Sequence, residues 1–317
     1  MSRLDNLTTR LCCSIHLWQS LDGSQCAVCL IGNGSSRVNR RFELVDVFNE
    51  SSFSGNPLAV VLDADDLSSD AMLRITRWLN LSETTFLLPP VDPKADYRVR
   101  IFTLEREMPF AGHPTLGSCH AWLSAGGRPR NQSEVIQECG AGLIPVRRSG
   151  STLEFAAPPL IRGGMVAESE ILEIARFLRI DRARIIDAQW ADNGPGWVVV
   201  LLDSAAAVLA LEPLRDYPAR MDLGVVAPHP PGAPAAFELR AFFTDHQGGV
   251  REDPVTGSLN ASTAQWLISS GRAKAPYIAS QGTRLGRTGR VHISTDALGG
   301  VWVGGKTTTV FSGNRMV

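Results

Sequence analysis

Two rhythms of apolar and polar positions run along the chain, and a third kind of segment follows neither. The stretch "FELVDVF" from Phe42 to Phe48, the apolar runs "LAVVLD" from Leu58 and "VVVLLD" from Val198, and the turn-bearing "RRSGSTLEF" and "GRTGRVHI" read as strands and hairpins. Apolar residues at helical spacing in "LSSDAMLRITRWL" from Leu67 and "AESEILEIARFLRI" from Ala167 predict two peripheral amphipathic helices, each opened by hydroxyl or acidic residues. The third kind spans Pro109 to Gly126 and Pro254 to Gly271. Each runs from a Pro through helix-compatible residues to a Gly suited to a helix end, with no Asp, Glu, Lys or Arg between. A helix with no charged face is expected to be buried all round.

These two stretches belong to a repeated phrase. "REMPFAGHPTLGSCHAWLSAGG" from Arg106 and "REDPVTGSLNASTAQWLISSGR" from Arg251 align Arg with Arg, Glu with Glu, Pro109 with Pro254, Gly112 with Gly257 and Gly126 with Gly271. "LAVVLD" likewise echoes "VVVLLD", and "GAGL" from Gly140 echoes "GTRL" from Gly282. The near-constant spacing predicts a duplicated lobe. The expected fold is therefore α+β, with two lobes related by a pseudo-twofold axis, each a mostly antiparallel, barrel-like sheet around one buried helix. The boundaries expected are a tail over residues 1–40, which shows neither period, a first lobe over 41–161 and a second over 162–317, with the final strand able to pack back on the first.

Composition narrows the class of function. With 317 residues, 44% of them hydrophobic, the chain is long enough for two cores. Lys plus Arg number 31 against 32 Asp plus Glu, for a net charge of -1, which argues against a nucleic-acid surface and favours a small-molecule role. The longest apolar run is broken by Asp203 and Ser204, and the chain start lacks the pattern of a signal peptide, so a soluble cytoplasmic protein is expected, with no membrane partner. Cys12, Cys13, Cys26 and Cys29 crowd the tail and lack a well-placed His, so no metal site is expected there or in the body of the chain.

Candidate chemistry lies where the two phrases differ. After the shared glycine stands His113 in one and Ser258 in the other; before the shared proline stand Met108 and Asp253. Helix starts carry free N–H groups and favour a carboxylate, so two converging starts would bring His113, Asp253 and Ser258 to one ligand. Each residue also has a plainer reading: Asp253 as a first-turn charge, Ser258 as an N-cap, His113 as a core histidine. Glu83 in "LNLSETTFLL" reads equally as an exposed loop acid or a functional one.

Taken together, "SGNPLAVVL", "LSETTF", "RIFT", "MPFAGHPTLG", "EDPVTGS", "QGTRLGRTGRVHI" and "VWVGG" resemble the PhzF family of phenazine-biosynthesis-like isomerases, which share the diaminopimelate epimerase fold. The likeness runs from Phe42 to Gly313. Departures are Leu104 in "FTLERE", where Pro is common, "SLNAS", where many relatives have a small residue and a His, and the long tail. The resemblance implies Glu83 as principal acid/base, with His113 and Asp253 beside it, and Gly112, Gly257 and Ser258 binding the substrate. Related epimerases place a cysteine at each helix start. Here Cys119 and Cys139 fall elsewhere, as inert thiols, which disfavours a two-thiol racemase.

The expected activity is thus a cofactor-independent isomerisation that moves a proton within a small carboxylated, amino- or hydroxy-substituted metabolite. Neither metal, flavin nor nicotinamide is required. An epimerase or lyase using the same residues, and a binding protein that has lost its reaction, are the alternatives. Relatives tend to pair, so a homodimer is also implied.

Overall fold

The structure is a computed structural model, and it describes residues 40–245 and 247–314. The tail and its four cysteines lie outside the described residues, apart from Arg40, which is already buried with its guanidinium on Asp66. The described residues belong to one compact unit.

The first repeat runs β1 (Phe42–Val47), β2 (Asn56–Val61), α1 (Ser69–Leu79), β3 (Glu83–Leu88), β4 (Tyr97–Thr103), β5 (Glu107–Met108), α2 (Gly112–Ser124), β6 (Glu134–Cys139), β7 (Gly142–Ser149) and β8 (Thr152–Ala156). Then come β9 (Arg162–Met165) and α3 (Glu168–Leu178). The second repeat follows as β10 (Asp187–Asp192), β11 (Val198–Leu201), α4 (Ala205–Leu209), β12 (Asp222–Pro228), β13 (Phe237–Thr244), β14 (Val250–Asp253), α5 (Gly257–Ser269), β15 (Tyr277–Gln281), β16 (Gly289–Thr295) and β17 (Val301–Gly305). Last is β18 (Thr307–Gly313).

Every ladder of the first repeat recurs in the second. β1–β2 is antiparallel as is β10–β11, β2–β3 parallel as is β11–β12, and β4–β6 parallel as is β13–β15. The remaining ladders are antiparallel. An antiparallel seam between β8 and β17 joins the halves into one continuous sheet. Each end strand is borrowed: β9 pairs with β10, and β18 returns to pair with β1, setting Phe42 opposite Gly313. Position in the repeat makes short α4 the counterpart of α1; α3, although amphipathic like α1, precedes β10 and has no counterpart among the described residues.

The uncharged stretches become α2 and α5, thirteen residues each, with nine residues of each helix buried. Both helices share one core with the inner sheet faces, including Leu116 and Cys119 from α2 and Leu259, Ala264 and Trp266 from α5. Their buried polar groups are matched from the sheet. Gln137 donates to Thr115 at 3.0 Å, and in the other half Asn260 donates to Gln281 at 2.8 Å. By contrast α1 is capped by Ser68, which accepts from Ala71 N at 3.2 Å, and leaves Trp78 84% exposed while burying Met72. No helix of the described residues is long and apolar enough to cross a membrane.

The helices meet start to start. A Cβ on Gly112 would lie 2.9 Å from the Gly257 Cα and 2.8 Å from the Phe155 ring; one on Gly257 would lie 2.9 Å from the Gly112 Cα. Helix propensity alone favours Ala over Gly by about 1 kcal/mol, but backbone cannot yield as a flexible side chain can, and overpacking costs about 1–3 kcal/mol. Gly112→Ala is therefore expected to lower the midpoint of chemical unfolding, and an unchanged or raised midpoint would show that the helix starts are not in contact.

Candidate active site

Neither buried helix is capped by a side chain. The N-cap residues are Ala111 and Thr256, and neither makes a capping hydrogen bond, so the first-turn amides of both helices are not occupied in that way. His113 and Ser258 are the second residues of their helices, Asp253 ends β14, and Glu83 opens β3. The fold thus brings Glu83, Gly112, His113, Asp253 and Gly257 to one place, with Ser258 one residue along α5.

A single amide ties the group together. Asn56, at the start of β2 and fully buried, donates through Nδ2 to Val255 O at 2.9 Å and Asp253 Oδ1 at 3.1 Å, and the same nitrogen lies 3.4 Å from His113 Nδ1. The other Asp253 oxygen accepts from Thr256 Oγ1 at 2.6 Å. That hydroxyl accepts from Gln281 Nε2 at 3.0 Å, and Gln281 Oε1 accepts from Thr256 N and Asn260 Nδ2. On the opposite side, His113 Nε2 lies 3.5 Å from Glu83 Oε2. This is within ion-pair reach but not in hydrogen-bond geometry, and both atoms are buried without a hydrogen-bond partner. The Asn56 Oδ1 atom is buried and unpartnered as well.

Burial dominates the electrostatics. It pushes the Glu83 carboxyl well above the ordinary carboxylate range, and the charge of Asp253 pushes the same way. The Glu83 side chain keeps 18% exposure, so water reaches one edge of it, which moderates the shift without reversing it. Asp253 is also raised by burial, against the hydrogen bonds from Thr256 and Asn56 that favour its charged form, with Glu252 adding a small upward push. Burial lowers His113 to about 3, so its ring is neutral near pH 7. Two acids of raised pKa beside a neutral imidazole are suited to carrying one proton between them.

Ser258 is engaged from the side. Its Oγ accepts from Trp197 Nε1 at 3.0 Å, and its carbonyl accepts from Asn193 Nδ2 at 2.9 Å. Cys119 sits mid-helix in α2, buried and pushed up to about 12, and Cys139 ends β6 with its thiol also raised by burial, so neither stands at a helix start. No group of three His, Cys, Asp or Glu residues among the described residues has the arrangement of a metal site. A surface hollow of about 600 Å³ lined by Leu123, Arg128, Gln132 and Arg148 lies beyond the other end of α2 and belongs to none of this chemistry. The residues that sequence reasoning passed over are Asn56, Thr256 and Gln281. All three lie inside the motifs "SGNPLAVVL", "EDPVTGS" and "QGTRL", which was the available signal.

Comparison with known proteins agrees with this architecture. A family model described as phenazine biosynthesis-like protein matches residues 45–313. The Schizosaccharomyces pombe protein named Antisense-enhancing sequence 1 is 36% identical over 294 residues, covering 87% of this chain and 98% of its own length. The trans-2,3-dihydro-3-hydroxyanthranilate isomerase of Pseudomonas aeruginosa is 32% identical over 284 residues, covering 82% and 91%. Among solved structures, a predicted epimerase from Pseudomonas aeruginosa superposes with a TM-score of 0.72 at 28% identity over 88% of this chain and 99% of its own. A Bacillus anthracis phenazine biosynthesis protein of the PhzF family has the same fold, with a TM-score of 0.75 at 21% identity over 88% and 99%. With a family match across both halves and isomerases among its relatives, the chain belongs to the phenazine biosynthesis-like, or PhzF, family.

Proposed function

We propose that this isomerase moves a proton from one carbon to another within a small carboxylated metabolite, with Glu83 as the acid/base. The observation that carries the reading is Glu83 Oε2, a buried carboxylate oxygen with no hydrogen-bond partner, beside His113 and Asp253 where two uncapped helices begin. Such an oxygen is free to take a proton and, being desolvated, holds it well. In the forward step the C–H bond breaks, the proton goes to Glu83, and the electron pair enters the conjugated system of the substrate. Glu83 then protonates a different carbon of the same molecule, so the double bond moves and the composition is unchanged. No cofactor enters this balance.

The substrate carboxylate is assigned to the helix starts. Amides at Gly112, His113, Gly257 and Ser258, with two helix dipoles converging, favour an anion there. The Ser258 hydroxyl, accepting from Trp197, keeps its own hydrogen for the ligand. Relatives named for trans-2,3-dihydro-3-hydroxyanthranilate act, by that name, on an amino- and hydroxy-substituted cyclic carboxylate, which fits the class inferred here.

Replacing Glu83 by Gln keeps its size and removes its ability to accept a proton from carbon. Turnover of any accepted substrate should fall about 10²-fold or more, with ligand binding retained; wild-type turnover in Glu83→Gln would refute the glutamate mechanism.

The raised Glu83 carboxyl also fixes the direction of two pH effects. A base must be ionised, so kcat/KM should climb with pH through an apparent group above the ordinary carboxylate range. Asp253→Asn removes the neighbouring negative charge and should move that limb to lower pH; a limb that stays put, or moves up, would contradict the coupling.

Stability should respond in the opposite sense. The folded state holds the Glu83 proton more tightly than the unfolded chain, so rising pH from the ordinary carboxylate range through the raised folded value lowers stability. Thermal melts across that window should show Glu83→Gln losing this slope and melting higher than wild type at the alkaline end. A steeper slope in the variant would contradict the assignment.

A further inference from the structure

We infer that His113 serves this site as a neutral hydrogen-bond donor through Nε2–H, held in that tautomer by Asn56, and that it does not carry the transferred proton. Its use in catalysis rests on the isomerase reading above; its geometry does not.

The argument begins at Val255. A backbone carbonyl has no hydrogen to give, so the Asn56 side-chain atom 2.9 Å from Val255 O must be the amide nitrogen, and the Asp253 Oδ1 contact at 3.1 Å agrees. Turning the amide over would set Asn56 Oδ1 against both acceptors. The NH2 group therefore faces His113 Nδ1 at 3.4 Å, its two hydrogens shared among three acceptor positions, and a lone pair on Nδ1 is the state that suits this contact. A hydrogen on Nδ1, in the other neutral tautomer or in an imidazolium, would point N–H at N–H. In a neutral ring the remaining hydrogen then belongs to Nε2.

Glu83 on β3 and Asp253 on β14 are the acids near the ring, and by charge alone they would favour an imidazolium. Burial opposes this, since the His113 side chain is only 5% exposed. The Nε2 atom is buried and unpartnered, 3.5 Å from the Glu83 oxygen that takes the carbon proton. A donor at that place suits a substrate oxygen, of a carboxylate or a conjugated carbonyl, that gains negative charge as the C–H bond breaks. Such a donor stabilises the charge without surrendering its hydrogen, which leaves the proton to the carboxyl groups.

Asn56 is then a positioning residue, and it is itself held from behind. The buried Asp46 carboxylate accepts from Ser54 N at 3.0 Å and Gly55 N at 2.9 Å, fixing the turn that delivers Asn56. A side chain at Gly55 would have its Cβ 2.1 Å from Val47 O, so the turn has little freedom to shift.

The test is nitrogen NMR on the full chain labelled with ¹⁵N-histidine, with the His113 signals identified by their loss in His113→Gln. The wild type should show a pyrrole-type Nε2 and a pyridine-type Nδ1, unchanged between about pH 5 and 8, where an ordinary histidine titrates. An Nδ1–H tautomer, or an imidazolium forming in that range, overturns the inference whatever Asn56→Leu does. In Asn56→Leu the ring should populate both tautomers, with kcat down about tenfold or more and KM little changed, since a misassigned tautomer cripples a catalytic histidine. An unaltered tautomer in that variant would remove Asn56 from the role. The two readings fail separately: a silent Glu83→Gln leaves the His113 spectrum as expected, and a titrating His113 leaves the glutamate mechanism standing.

Discussion

Two α-helices that begin against each other, glycine to glycine, impose the central constraint on this molecule. Each helix start carries roughly half a positive charge from its aligned peptide dipoles, and placing two of them in contact in a buried junction is unfavourable unless negative charge is near. Asp253 and Glu83 stand beside that junction, and a bound carboxylate would add to them. Much else follows from the same contact. The starts must be glycine because the backbones touch. The helices must lack charged residues because sheet surrounds them, and the sheet must be continuous through the β8–β17 seam so that neither helix drifts from the other.

Within this symmetric frame the chemistry is one-sided. Met108 occupies the place in the first half that Asp253 has in the second, and the network of Thr256, Gln281 and Asn260 around Asp253 is replaced in the first half by Gln137 with Thr115 and Tyr97. At the register position that Glu83 holds in the first half the second has Asp222, but that carboxylate is paired with Arg220 at 2.7 Å, whereas the Oε2 atom of Glu83 is left unpartnered. Moving a proton between two carbons of one molecule needs a single base on one face, whereas inversion at a carbon calls for matched groups on both. The loss of equivalence between the copies fits the first task better than the second.

Much of the fold was legible in the residues because its strongest signals are local. The absence of charge between Pro109 and Gly126, and again between Pro254 and Gly271, is a property of one segment, and so is the repeated phrase around Gly112 and Gly257. His113 and Asp253 stood out because they break that repetition. Asn56 did not, because its importance comes from partners 57 and 197 to 199 positions away, which only the assembled sheet brings together. The burial of Glu83 was hidden for the same reason: a short loop acid acquires a raised pKa only once β3 is set beside α2 and β14. The pairing of α4 with α1 was obscured because α4 shrank to one turn and a half within an apolar run, while α3 supplied a more conspicuous amphipathic pattern.

The returning strand β18 has a consequence for how the protein is made. Its partner β1 is among the first elements to leave the ribosome, yet the residues that cover the β1 edge are Thr307–Gly313. At about 5–20 residues per second, the edge waits on the order of ten to fifty seconds for its partner. Throughout that interval the nascent first half presents an open row of amide and carbonyl groups, the template on which strands of other chains pair. The second half, whose strands β9 to β17 are contiguous, can complete its sheet earlier. The half that is synthesised first is therefore the last to close, and its yield in the cell depends on what shields β1 until translation has passed residue 313.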